Sequence, residues 1–245
     1  SYLFIIFEAG HNSKAHAIGY MAPVLAGIIL TYRGRYLLGG IMAAIALSLE
    51  LLANHLQITY YLMMVAGVLV ITELVASIRN KQLPGFAKAT GILIIASVFA
   101  IATNITNLWA TYEYGKETIR GKTELTTEKT NRTSGLDKDY ATGWSYGKME
   151  TFTLLIPNFK GGSSQGALTE KSNSYKALRA NNVDDVQASK LIKGLPLYWG
   201  TQPGVAGPVY IGAIIMFLFI FALFVVENKF KWWLLAATVL SIMLA

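Results

Sequence analysis

The sequence predicts an all-α membrane protein, a polytopic transmembrane helix bundle with a large extracytoplasmic insertion of mixed structure. Three observations predict it. Six apolar runs, all but the last roughly 18 to 21 residues long, match what a helix needs to cross a hydrocarbon core of ~30 Å at ~1.5 Å per residue. Of the 245 residues, 53% are hydrophobic and 14% charged, a balance typical of membrane chains and not of soluble domains of this size. Outside a central polar segment, Lys and Arg fall almost entirely in alternate short loops, the pattern left by retention of positive charge on the cytoplasmic side.

Taken in order, Ser1 to Phe7 (SYLFIIF) is apolar but too short to span, and it lacks the basic start and small-residue cleavage site of a signal peptide. It reads as the tail of an earlier helix, so the chain is expected to be an internal fragment. Four spans follow, at 15–32, 36–53, 58–77 and 89–109. Residues 110–207 form the extracytoplasmic segment, and two further spans at 208–226 and 230–245 close the chain, the last one truncated. The division is therefore 1–109, 110–207 and 208–245. Three short loops carry Arg33 and Arg35, then Arg79, Lys81 and Lys88, then Lys229 and Lys231. They alternate with the turn at 54–57 and with the long segment, which places those two outside the cytoplasm. The long segment holds 13 basic and 10 acidic residues, but loops of this length translocate largely regardless of charge. The expected location is the bacterial inner membrane, with several passes.

Several function classes drop out. The net charge of +7 is dispersed by topology, without the aromatic-interleaved basic stripe of single-strand binders, so no nucleic acid is expected. The absence of cysteine excludes disulfides, thiolate catalysis and Cys-based metal sites. No internal repeat, phosphate-binding glycine loop or dinucleotide fingerprint is present, which leaves ATP-driven transport unsupported.

Polar residues within the spans gather at their extracytoplasmic ends. Glu50 and Asn54 stand four apart on one helical face, just before His55 and Gln57. Asn104 and Asn107 share a face near Trp109, Tyr112, Glu113 and Tyr114. A carboxylate or amide at membrane depth is costly and usually faces a bundle interior or an aqueous cavity. Interhelical hydrogen bonding with aromatic anchoring accounts for the same residues. Glu73 and Glu227 read as interfacial helix ends.

The stretch EAGHNSKAHAIGYM packs Glu8, His11, Asn12, Lys14 and His16 into nine residues. Lys14 is the one short-loop cation on the outer side. Such a set holds a phosphate or moves a proton, histidine being the group that titrates near neutrality. A divalent metal on Glu8 and His11 is the alternative chemistry, though an E-x-x-H spacing is weak support, and a loop that merely joins two helices is the bland one; the cofactor is left unknown. In the outer segment, 116–132 has neither a strand period nor a helical face and reads as flexible surface. SGLDKDYATGWSYG then concentrates Asp137, Lys138, Asp139, Tyr140, Trp144 and Tyr146 among small residues. METFTLLIPNFKGGSS supplies a short helix or strand stopped by Pro157. A short helix is predicted around 184–192, and LPLYWGTQPGVAGPVY brings Tyr198 and Trp199 back to the membrane. Aromatic rings beside carboxylates suit sugar binding, since ring faces pack on pyranoses while carboxylates and amides pair the hydroxyls. An interfacial aromatic belt uses the same residues.

The strings EAGHNSKAHAIGYM, ANHLQITYY, NLWATYEYGKETIRGKTELT, SGLDKDYATGWSYGKMETFTLLIPNFKGGSS and YWGTQPGVAGPVYIGA, in that order and through essentially the whole chain, resemble the YfhO-like family of multi-spanning membrane proteins in its Bacteroidetes form. That family is similar to C-type glycosyltransferases, and the resemblance implies transfer of a sugar from a polyprenyl-phosphate carrier to an envelope glycan or lipid acceptor. It implies a single displacement, in which the acceptor oxygen bonds the anomeric carbon, the bond to the carrier phosphate breaks, and a carboxylate takes the hydroxyl proton. Glu8, Asp137, Asp139 and Glu113 are the candidate catalytic carboxylates. His11, Lys14, Lys138 and Lys160 are the candidate phosphate ligands. Glu50, Asn54 and His55 would line the cavity floor, and Trp144, Tyr146, Tyr198 and Trp199 would hold the sugar. The family's usual carboxylate lies in its first outer loop, which is expected to precede this fragment, so that residue is not carried over. A transporter or flippase of lipid-linked sugars, and a non-enzymatic envelope scaffold, are the other function classes open to this sequence.

Overall fold

The computed structural model describes residues 2–118, 138–164, 166–202, 204 and 209–245, and they are helical without a strand among them. Asp137, and most of the stretch read as flexible surface, lie outside the described residues. The chain forms two compact units, one of residues 1–136 with 225–241 and one of 137–224 with 242–245.

In the first unit α1 is Tyr2–Glu8 and α2 is Asn12–Tyr32, joined through Gly10 at φ +75. After a turn at Gly34 comes α3, Tyr36–Leu52, and α2 and α3 form the most extensively packed helix pair among the described residues. Their contact is made of small residues: a Cβ at Gly27 would stand 2.6 Å from the Ala43 amide nitrogen, and one at Gly39 would stand 2.5 Å from the Thr31 nitrogen. Thr31 satisfies its own hydroxyl by donating to the Gly27 carbonyl at 2.8 Å, so a polar residue sits in the contact without a lost hydrogen bond. Helices that cannot use the hydrophobic effect against one another associate in this way, through close backbone approach.

Helix α4, Leu56–Arg79, follows a turn with Asn54 at φ +53, and α5, Leu83–Thr103, begins with Pro84 in its first turn, where no amide donor is missed. The sequence placed this span at 89–109. Instead the helix starts six residues earlier and stops at Asn104, whose side-chain amide donates to the Ser48 and Ala100 carbonyls at 3.0 Å each. Helix α6, Ile105–Lys116, restarts beyond that break.

Asn12–Tyr32, Leu56–Arg79 and Leu83–Thr103 are each long and apolar enough to cross a membrane. Their outer faces differ from those of a water-soluble bundle in the large apolar side chains they expose. Ala17, Ala66, Ala89, Ala96 and Ala100 are buried beside Val24, Ile28, Leu62 and Leu69, while Ile71, Ile94, Val98 and Phe99 are exposed. Small residues at the helix contacts and large apolar ones left exposed suit helices whose surroundings are lipid. The other apolar helices are shorter: α3 has 17 residues, α10 (Ala213–Val225) has 13 and α11 (Phe230–Leu244) has 15. For α10 the cause is local. Gly212 at φ +118 keeps the preceding backbone out of the helix, and the Tyr210 hydroxyl accepts from the Ala213 amide at 2.9 Å.

The core of the first unit gathers Val24, Ile28, Leu47, Leu51, Leu62, Leu69 and Trp233, the last donating its indole N–H to the Val65 carbonyl at 3.0 Å. Glu73, expected at a helix surface, is 5% exposed and forms an ion pair with Lys229 at 2.7 Å. Arg33 lies over the Phe230 ring at 5.7 Å and Lys88 over the Tyr36 ring at 4.4 Å. These contacts tie the three basic loops to one end of the unit.

The second unit holds three short helices, α7 (Lys138–Thr142), α8 (Asn173–Ala180) and α9 (Asp185–Lys193), and a 3-10 turn at Glu150–Leu154. Ser172 and Asp184 cap α8 and α9 by accepting from backbone amides, the usual role of these residue types. The expected mixed structure reduces, among the described residues, to these helices and one isolated antiparallel bridge between Gly161 and Tyr198.

Candidate functional site

Residues 147–163 and 197–202 meet in the second unit, and Glu150 is the hub that joins them. Its side chain is 1% exposed. One carboxylate oxygen accepts from the Tyr198 hydroxyl and from the Thr201 amide at 2.9 Å, and the other accepts from the Gly147 amide at 2.6 Å. Burial opposes ionisation of Glu150, but the Tyr198 hydroxyl, the two amides and the charge of Lys160 together outweigh it and hold the carboxyl below the usual carboxylate range. Burial and the Glu150 carboxylate raise the Tyr198 phenol in turn. Gly200 must be glycine here, since a Cβ would enter the space of the Glu150 carboxylate and the Tyr198 ring.

The bridge supplies the second tie. Gly162 donates to the Leu197 carbonyl at 3.1 Å and Trp199 to the Lys160 carbonyl at 3.1 Å. Gly161, at φ +86, lies against the Leu197 carbonyl and the Trp199 indole, where a side chain would be both strained and obstructed. This backbone places the Lys160 ammonium 4.7 Å from the centre of the Trp199 ring. Trp199 is 66% exposed and Trp144 is 54% exposed, and the Gln202 amide anchors the Trp144 carbonyl. Tyr146 is also exposed. The unit therefore offers a cation and exposed aromatic faces on a backbone fixed from beneath by a buried carboxylate. A pyranose ring can pack on such indoles while an ammonium pairs with phosphate.

Of the residues singled out from sequence, Lys160, Tyr198, Trp199 and Trp144 come together in this way, with Tyr198 spending its hydroxyl on Glu150. Lys138 and Asp139 are exposed on α7. Glu113 belongs to the first unit, where it pairs with Lys116 at 2.9 Å on α6. Glu8, at the end of α1, and His11, just before α2, are exposed, and Lys14, in the first turn of α2, stands 5.7 Å over the Tyr2 ring. Glu50 is fully buried within α3, its carboxylate accepting from the Thr59 hydroxyl at 3.0 and 3.1 Å. Asn54 accepts from Thr111 at 3.3 Å, and His55 keeps a buried Nδ1 with no hydrogen-bond partner among the described residues. No group of His, Asp or Glu suited to holding a metal ion occurs among the described residues.

Sequence reasoning missed Glu150. The signal available was one acid inside the apolar stretch METFTLLI, a position where a charge persists only if it is paired or hydrogen-bonded. No family model matches this chain, and neither a curated protein nor a solved structure does.

Proposed function

We propose that the chain is part of a multi-pass bacterial inner-membrane glycosyltransferase-like protein, of the YfhO-like kind. In this reading residues 110–207 lie outside the cytoplasm, and a sugar passes there from a polyprenyl-phosphate carrier to an envelope glycan or lipid. The observation that carries it is the Lys160 ammonium over the exposed Trp199 indole, held in place by the Glu150 hub in a unit that also exposes Trp144 and Tyr146. Lys160 pairs with the carrier phosphate, and the aromatic faces receive the sugar. Glu8, Glu113, Asp137 and Asp139 are the carboxylates available to take the acceptor proton, with His11, Lys14 and Lys138 as further phosphate ligands. The length of the long helices and the large apolar side chains they expose support the membrane setting, and the basic loops gathered at one end of the first unit support the orientation.

The test is native mass spectrometry of the full-length protein with a polyprenyl-phosphate sugar, comparing the wild type with Lys160→Ala and Trp199→Ala. Loss of the bound carrier in both variants is expected, and carrier retained at wild-type level in both overturns the reading. Topology is testable separately. The chain contains no cysteine, so single cysteines at Ser174 and at Lys81 report their side by labelling with an impermeant maleimide.

The transporter reading is favoured by Glu50 alone. A carboxylate fully buried in an apolar helix, with one hydroxyl donor, is what a proton-coupled carrier uses. Flipping of a lipid-linked sugar that Glu50→Gln abolishes, with no transfer in the same preparation, selects that reading.

A further inference from the structure

Helices α3 and α5 flank an open groove of about 470 Å³, lined by Leu37, Ile41, Ala44, Ile92, Ile95 and Phe99, with Tyr36 at one end. Its lining is apolar along its whole length. On α3 it runs from Leu37 to Ala44 and on α5 from Ile92 to Phe99, roughly 10 Å in each case at ~1.5 Å per residue. The groove is open on one side and presents almost only apolar side chains, a surface against which a hydrocarbon chain packs.

Its Tyr36 end is charged. Lys88 stands one helical turn before Ile92, on the same face, and its ammonium lies 4.4 Å from the Tyr36 ring centre. Lys88 has no carboxylate partner among the described residues, whose ion pairs are Lys116 with Glu113, Arg179 with Asp185 and Lys229 with Glu73. Arg35 directly precedes Tyr36. Of the two acids on this side of the unit, Glu73 is occupied by Lys229, and Glu227 belongs to the loop before α11. An apolar slot ending at an uncompensated cation is complementary to an amphiphile with a negative head.

We infer that the α3–α5 groove is a binding site for one anionic phospholipid, with part of one acyl chain along Ile41, Ala44 and Ile95 and its phosphate at Lys88. The site is separate from the Lys160 and Trp199 region and requires only that the helices be in a membrane. One lysine near an anionic headgroup contributes about 1 kcal/mol, close to a fivefold preference over a zwitterionic lipid.

The experiment uses the full chain, delipidated in detergent and titrated with phosphatidylglycerol or with phosphatidylcholine of identical chains, with bound lipid counted by native mass spectrometry. One tightly retained phosphatidylglycerol is expected, with about fivefold selectivity. Lys88→Gln is expected to remove the selectivity, and Ala44→Phe, which fills the groove, to remove retention of both lipids; Lys81→Gln is expected to change neither. Equal retention of the two lipids by the wild type, or selectivity that survives Lys88→Gln, overturns the inference. A photocrosslinker replacing Ile95 gives a readout that does not depend on the folding of a groove-filling variant. Lipid adducts support the site, and adducts to a protein segment or to a second copy overturn it.

Discussion

The two units are stabilised in opposite ways. In the first, α2 and α3 meet through Gly27, Gly39 and Ala43, and nearly all of the contact is dispersion between backbones and small side chains. In the second, two loops are joined by one carboxylate that three donors saturate. The first is robust to a change of charge and intolerant of added volume. The second is intolerant of losing a single oxygen pair. Shape complementarity between helices needs no water, whereas a loop assembly has polar backbone to satisfy and therefore needs an acceptor at its centre.

The largest expected effect follows from volume. Gly27→Leu drives a side chain into the Ala43 backbone, which cannot move without shifting α3, and a loss of about 3 kcal/mol is expected. Thermal unfolding in detergent measures it. The same variant is expected to leave the protease resistance of residues 147–202 unchanged. Glu150→Ala is the converse. It strands the Tyr198 hydroxyl and the Gly147 and Thr201 amides, at a cost of about 2 to 3 kcal/mol confined to the second unit. Limited proteolysis near Lys160 is expected to accelerate while the unfolding of the helical unit stays in place. Equal effects of both variants on both readouts would mean that the units do not have separate sources of stability.

This division also governs what could be read in advance. Apolar runs of membrane length and basic loops in alternation are local patterns, so the helices of the first unit were legible, with ends displaced where a side chain intervened. Asn104 stops α5 because its amide reaches Ser48, 56 residues away, a partner no window of sequence reveals. Likewise Glu150 finds Tyr198 across 48 residues and Thr201 across 51. The aromatic residues at 144, 146 and 199 could be named from composition, whereas Glu150 shows in the sequence only as an acid in an apolar stretch, without its partners. Glu73 was misread for the same reason. Its neighbours in sequence are the basic residues of a helix end, while its partner, Lys229, is 156 residues away.

Acidification tests the carboxylate hub without a mutation. Because the folded protein holds Glu150 below its ordinary range, its contribution is fully present above the unfolded value of about 4.3 and is lost as pH falls through the lower folded value. Tryptophan fluorescence and proteolysis of the second unit are therefore expected to change below about pH 4, and Glu150→Gln is expected to flatten that acid limb. A limb that persists in Glu150→Gln would assign the acid sensitivity to another carboxylate.

The smallest effect is expected at the Glu73–Lys229 ion pair of the first unit. Lys229 is 43% exposed, so water screens much of its attraction for Glu73, and the pair contributes less than its 2.7 Å separation suggests. Glu73 itself is buried, and removing the cation leaves a carboxylate among apolar helices, which is costlier than removing both charges. Lys229→Met is thus expected to lower stability by about 1 kcal/mol, and Glu73→Gln added to it to recover most of that loss. A double-mutant cycle on the unfolding midpoint reads the difference. Recovery would show that the first unit tolerates an apolar or neutral pair where the second unit requires its charge. A double variant weaker than Lys229→Met alone would place a charged hub in the helical unit as well.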